Sequence, residues 1–305
     1  MKTLEWALII LAFVFLSINS FFIWENYISP KVTPLNPYTA QVKEYPIYEA
    51  TQFYPNMRYP SREINFFIDD SCNQKKKEDI LLALKILESS TILKFKESYK
   101  NPEIEYSCAP LEEDVSSNHF IVGEGGPITI INTTLYNVIL KGKVLLYKEE
   151  RCKKPVVTIH ETLHALGFNH TSKEKSILYP FTSCDQEIDP EIIETINELY
   201  AAESLSDLSI ESVNATRVGN FLFFEITIAN IGLKDNTNST LIIYSNEKEI
   251  KTIPVGTLEL GKKKIFAAKN ILLFGKISSI TFSIKTEEKE LSKKNNEITL
   301  YPKNS

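Results

Sequence analysis

HETLHALGFNH, residues 160–170, holds three of the four histidines of a 305-residue chain. His160 and His164 are four residues apart, so on a helix their rings leave from one face. That spacing suits two nitrogen ligands on one zinc ion. Glu161 points slightly off that face, where it would not ligate the metal but could reach a water beside it. Gly167 is placed to end the helix, because glycine adopts a left-handed backbone without Cβ strain. The chain can then turn and return His170 as a third ligand. Three protein ligands leave a fourth position open, as in a catalytic rather than a structural zinc site. With Glu161 as general base, the predicted chemistry is metal-assisted amide hydrolysis. A different zinc set would keep His160 and His164 and recruit Glu187, Glu191 or Glu194. The placement of Gly167 and His170 favours the three-histidine set.

Outward from this stretch, KPVVTIHETLHAL (154–166) reads as a helix. KKKEDILLALKILESS (75–90) reads as another, with Ile80, Leu84 and Leu87 on one stripe. DPEIIETINELYAAE (189–203) is a third, with Asp189 as its N-cap and Pro190 at its first position. Strands are predicted at EINFFID (63–69), ILKFKES (92–98) and IEYSC (104–108). A β-rich block covers ITIIN (128–132), NVIL (137–140) and KVLLY (143–147), with a turn at Lys141-Gly142. From Asp207 to Tyr301 the pattern changes to short β-rich segments with turn-like stretches between them, the signature of a β-sandwich.

Before residue 61 the chain differs again. Residues 6–24, WALIILAFVFLSINSFFIW, carry no charge and are about as long as a bilayer-crossing helix. No clear small-x-small cleavage site follows, so an uncleaved signal anchor is predicted; if the segment is cleaved, the chain is secreted. Trp6 and Trp24 sit at its ends, and Lys2 lies on the short N-terminal side, which favours a cytoplasmic N-terminus and an extracytoplasmic body. Residues 25–60, rich in Pro and Tyr, read as a spacer. The predicted organisation is therefore an anchor at 1–24, a linker at 25–60, a catalytic domain at 61–204 and a β-sandwich at 205–305.

Cysteine usage agrees with export. Cys72, Cys108, Cys152 and Cys184 are even in number and lack a CxxC pair, so disulfides are expected. Four cysteines allow three connectivities; Cys72–Cys108 with Cys152–Cys184 is the preferred one, since the second pair brackets the histidine stretch. Asn132, Asn169, Asn214 and Asn238 each begin an N-x-[ST] sequon. The charge balance, 34 Lys+Arg against 39 Asp+Glu and net −5, argues against a nucleic-acid partner.

HETLHALGFNH resembles the metzincin motif HExxHxxGxxH. Its continuation, Ser172 through Ser176-Ile177-Leu178-Tyr179-Pro180, resembles the matrixin subgroup, in which a Met-Tyr-Pro turn follows the last histidine. The resemblance spans about residues 60–203. It implies an α+β catalytic domain, a mixed twisted sheet with three helices, one catalytic Zn2+ held by His160, His164 and His170, and Glu161 as base. It also implies a protein or peptide substrate bound as an extended strand along a sheet edge, supplied by the 128–147 block. The loop 179–188 would form the wall of the specificity pocket. Leu178 replaces the family's turn methionine, and weak tuning is expected from it. His119 is read as an ordinary residue, with no second zinc and no cysteine-based latency. Residues 207–301 resemble the CARDB-type immunoglobulin-like domains of prokaryotic surface proteins, through DLSI (207–210), ITIANIGL (226–233), VGTLELGKK (255–263) and KKNNEITLY (293–301). That module is read as a spacer or a docking surface for a partner. The leading expectation is a membrane-anchored, outward-facing prokaryotic zinc endopeptidase. The alternatives are a catalytically impaired surface-binding or adhesion protein and a non-proteolytic amidase.

Overall fold

In the computed structural model, residues 2–24, 32–37, 52–109 and 122–302 are described, the side chains of 2–5, 7–9, 36 and 37 excepted. The chain divides into two compact units. One comprises 43–207 with 231–235; the other takes 1–42, 208–230 and 236–305. Among the described residues no helix is long and apolar enough to cross a membrane. The N-terminal helix α1 runs Lys2–Ile23. Its described side chains, such as Phe13, Phe15 and Phe21, are exposed.

The first unit is α+β. Its strands are β2 (Met57–Arg58), β3 (Glu63–Ile68), β4 (Lys94–Glu97), β5 (Ile104–Cys108), β6 (Gly123–Asn132) and β7 (Asn137–Leu146). Its helices are α2 (Gln74–Ser90), α3 (Val156–Ala165) and α4 (Pro190–Ala201). Strands β4, β3, β5 and β7 pair in parallel in that order, and β6 runs antiparallel to β7. Among the named strands β6 has no other neighbour, so it is one edge of the sheet, with β4 at the other. Asn73 caps α2 by accepting the Lys76 N–H at 2.9 Å. Ile80, Ala83, Leu84 and Leu87 bury the predicted stripe. The disulfides are Cys72–Cys108 and Cys152–Cys184.

Three expectations are corrected here. Lys141-Gly142 is not a turn, because β7 passes straight through it and β6 begins earlier, at Gly123. Gly142 is glycine for packing: a Cβ there would lie 2.3 Å from the Tyr59 hydroxyl, which donates to the Ala165 carbonyl at 3.0 Å. Asp189 is the N-cap residue of α4 and Pro190 follows it as expected, but the Asp189 side chain makes no cap; its carboxylate instead accepts the Ser176 hydroxyl. Residues 25–60 are not a spacer throughout. Gln52 bridges Phe168, β2 pairs with β7, and a further strand, β1 (Val32–Pro37), belongs to the second unit. The Arg58 guanidinium is fully buried, and among the described residues no carboxylate pairs with it. It donates to carbonyls of Tyr59, Pro60, Leu199 and Ala202, and it lies 4.6 Å from the Tyr200 ring centroid. It thus ties β2 to the C-terminal end of α4, where the helix dipole favours a cation.

The second unit is all-β. Besides β1 it contains β8 (Leu208–Val218), β9 (Phe221–Asn230), β10 (Ser239–Ser245), β11 (Lys248–Pro254), β12 (Lys263–Leu272), β13 (Ile280–Thr286) and β14 (Glu297–Pro302). The hydrogen-bonded order is β11-β10-β13-β14-β1-β8-β9-β12. Alternate side chains of β10 are buried, as the two-residue period of a half-covered sheet requires. Phe224 of β9 and Phe282 of β13 meet with ring centroids 5.0 Å apart, although their strands are not neighbours. The two halves of the sheet are therefore folded face to face.

Candidate active site

Helix α3 starts without a side-chain cap at Pro155. The Glu150 carboxylate serves instead, accepting the N–H groups of Val157 at 2.9 Å and Cys152 at 3.3 Å. The helix ends where Gly167 adopts φ 97°. There the Gly167 N–H meets the His164 carbonyl at 2.9 Å and the Phe168 N–H meets Leu163 at 3.0 Å. A side chain at Gly167 is excluded twice over, since its Cβ would also lie 2.6 Å from the Met57 sulfur.

Past this turn the chain brings His170 back over the helix. The Nε2 atoms of His160 and His164 are 2.9 Å apart, and His170 Nε2 lies 3.2 and 3.1 Å from them. His160 Nδ1 lies 2.6 Å from the Ile177 carbonyl, and His164 Nδ1 lies 2.7 Å from that of Phe168. A carbonyl only accepts, so both Nδ1 atoms carry the proton and both Nε2 atoms present lone pairs. Two bare acceptors facing each other repel unless a cation lies between them. Backbone carbonyls behind the rings are also what orient metal-binding histidines. Burial lowers all three imidazole pKa values, that of His160 to about 3 with neighbouring His164 adding to the effect. The rings are therefore neutral and able to ligate at neutral pH. Donor type, tautomer and convergence fit a zinc ion. Among the described residues this is the one such cluster of possible metal ligands. Of the alternative ligands, Glu187 pairs with Lys154 at 2.7 Å and Glu191 with Lys173 at 2.9 Å.

Glu161 is buried on the same helix, with its carboxylate accepting the Gly125 N–H. Burial first, and then the charge of Glu124, push its pKa up to about 8. The edge strand reaches it through two glycines. A Cβ at Gly125 would lie 2.0 Å from the Glu161 carbonyl oxygen, and one at Gly123 would lie 2.8 Å from Glu161 Cγ. Two residues apart on a strand, they share a face, and that face lies against α3. The spacing G-E-G is the signal in the sequence that went unread.

A cleft of about 1080 Å³ opens over these groups. Gly123–Pro127 of β6 form one side and Pro180–Cys184 another. Phe53 also lines it, with its ring 5.8 Å from that of His164 and its N–H on the Gly167 carbonyl at 2.9 Å. The wall 180–184 is braced by Cys152–Cys184 and by buried Gln186, whose amide donates to the Phe181 carbonyl at 2.8 Å. Leu178 is fully buried, and its carbonyl accepts the Thr171 N–H at 3.0 Å. His119 lies outside the described residues.

Residues 61–201 match the family described as Matrixin (Peptidase_M10). No curated protein matches the chain. Several solved structures resemble part of it. One is the CARDB domain of a Pyrococcus furiosus protein in complex with di-metal ions, at 15% identity and TM-score 0.28, covering 32% of this chain and 88% of that one. Another is a domain of a cell surface protein from Methanosarcina acetivorans, at 22% identity and TM-score 0.27, covering 32% and 91%. A solution structure of the Pyrococcus furiosus CARDB domain gives 15% identity and TM-score 0.29, covering 32% and 94%.

Proposed function

We propose that this chain, whose residues 61–201 form a matrixin-like domain, is a zinc-dependent endopeptidase that hydrolyses proteins or peptides. The observation that carries this reading is the convergence of three Nε2 atoms within 3.2 Å, two of them held as acceptors by backbone carbonyls, beside a buried carboxylate. His160, His164 and His170 hold the metal. When bound, zinc supplies a Lewis acid that polarises a carbonyl and acidifies water.

The chain's own residues do the rest. Glu161 takes a proton from the attacking water and delivers it to the leaving nitrogen. Its carboxyl is suited to both tasks, because an environment that disfavours the charged form makes it a competent base and then an acid near neutral pH. The Gly125 N–H fixes one carboxylate oxygen. Edge strand β6 leaves backbone groups free to pair with an extended peptide across the cleft. The braced wall at 180–184 shapes the pocket for one side chain.

The same reading extends to placement. The N-terminal helix anchors the chain in a membrane with the body on the extracytoplasmic side. The uncharged run at 6–24 and two disulfides support this. The second unit is a spacer or a docking surface for a partner.

Residues 25–305, which keep β1, provide the test. The zinc-loaded protein is incubated with a broad peptide library beside a Glu161→Ala control, and new termini are read by mass spectrometry. Cleavage by the parent alone, lost on chelation and regained with zinc, is expected. Unit zinc stoichiometry with no Glu161-dependent cleavage would refute the reading.

A further inference from the structure

Strand β1 lies far in sequence from the strands it touches. Val32–Leu35 pair with Val218–Ala215 of β8, and Leu35–Pro37 pair with Pro302–Leu300 of β14, both antiparallel. The segment thus crosses from one half of the folded sheet to the other, with Leu35 as the crossing point. Leu35 is 6% exposed and joins the core of the unit, whereas Val32 is 65% exposed. Pro34 and Pro37 have no N–H, which leaves Val32, Thr33, Leu35 and Asn36 as the only main-chain donors. Among the described side chains of β1 Leu35 is the buried one, so the attachment rests on backbone pairing along two edges and on this anchor.

The strands on either side do not need β1 for their other contacts. β8 is paired along its length with β9, and β14 is paired with β13. Phe224 and Phe282 hold the two halves together independently of it. Without β1 the unit retains seven strands and an open seam between β8 and β14, each presenting an unpaired edge. Such an edge is a template for one more extended segment, with the pocket beneath Leu35 supplying side-chain selection.

We infer that the seam between β8 and β14 is a strand-binding site and that residues 32–37 occupy it as a separable ligand held by tethering. Residues 38–207 join the segment to its receptor, and a covalent tether raises local concentration even when it is long, so a segment with Leu35 as its described buried side chain can fill the seam. The peptidase-like unit is then an insertion between the ligand strand and its receptor. A cut anywhere in 38–51 turns the covalent link between α1 and the rest of the chain into a reversible one. The seam so vacated accepts the same segment from a second copy.

The test uses the full chain in detergent, with a sequence-specific protease site inserted after residue 44. Cut and uncut chains are mixed with fluorescent peptides of residues 30–39, and uptake is read by anisotropy. The expected result is uptake by the cut chain and little by the uncut one. The Val32→Asp peptide should bind as the parent peptide does, and the Leu35→Asp peptide at least about tenfold more weakly, the equivalent of about 1.4 kcal/mol. No uptake by the cut chain, uptake indifferent to Leu35, or equal uptake by the uncut chain would each overturn the inference. Peptide uptake does not depend on catalysis, so the outcome is independent of the endopeptidase reading.

Discussion

Gly125 offers a sharp test of how the edge strand serves Glu161. A methyl group added at Gly125 would lie 2.0 Å from the Glu161 carbonyl oxygen and 2.7–2.8 Å from its carbonyl carbon and Cα. Non-bonded heavy atoms settle at about 3.5–4.0 Å, so β6 must retreat from α3 by roughly 1.5 Å. No flexible side chain is available to yield, because the clash is with helix backbone. Overpacking of this kind costs about 1–3 kcal/mol, and each kcal/mol lowers Tm by about 2–4 °C in a domain of this size. The retreat also pulls the Gly125 N–H from the Glu161 carboxylate, and a displacement of about 1 Å at a reacting group can reduce turnover about a hundredfold. Gly126→Ala is the matched control, since a Cβ there meets nothing within 4 Å. The assay pairs Tm by calorimetry with kcat/KM on a cleaved peptide. Gly125→Ala should lower both and Gly126→Ala neither. Equal behaviour of the two variants would refute the close-approach argument.

Arg58→Met should destabilise the first unit by about 3 kcal/mol, because four carbonyls lose a charged donor, those of Tyr59 and Leu199 being buried; urea midpoints at unchanged slope would show it. In metal-free protein the Glu161 carboxyl is shifted from 4.5 to about 8, so its stabilising contribution is complete below about pH 4.5 and lost as pH rises through 8. Glu161→Gln should therefore gain Tm on the parent as pH rises across that window; a difference independent of pH would contradict the shift. His160 acts oppositely. Its pKa falls from 6.5 to about 3, so its contribution is present above pH 6.5 and lost as pH falls towards 3, and metal-free His160→Gln should show a weaker acid dependence. Leu178→Met should change stability by under about 1.5 kcal/mol and kcat by only a few-fold, as a volume-conserving swap at a buried position. A loss of zinc binding in that variant would assign Leu178 a larger role.

The convergence of the three histidines was legible because it is local. His160, His164, Gly167 and His170 lie within three helical turns, and helix period and glycine chemistry suffice to converge them. The disulfide that brackets them was legible for a similar reason. What escaped reading depends on partners remote in sequence. Gly142 looks like a turn residue until Tyr59 is seen to occupy the space above it. Glu150 caps α3 from outside the helix, where no capping pattern would place it. Gly123 and Gly125 acquire meaning only against the backbone of Glu161. VTPLNP, with two prolines, has no strand signature of its own; it is extended because β8 and β14 flank it.

The position of β1 also sets an order of events during synthesis. Val32–Pro37 are made well before their partners, since Pro37 pairs with Leu300 and Leu35 with Ala215. The α+β unit, whose segments mostly lie between 43 and 207, can complete its own contacts while the second unit still lacks most of its strands. Closing so long a loop adds entropy that grows only with the logarithm of its length, but pairing with β14 has to wait until β14 is made. Among the described strands β1 is made first, and its pairing with β14 comes after the other strands of its sheet are made. A translation product truncated before β14 would carry a folded first unit beside an unfinished second one.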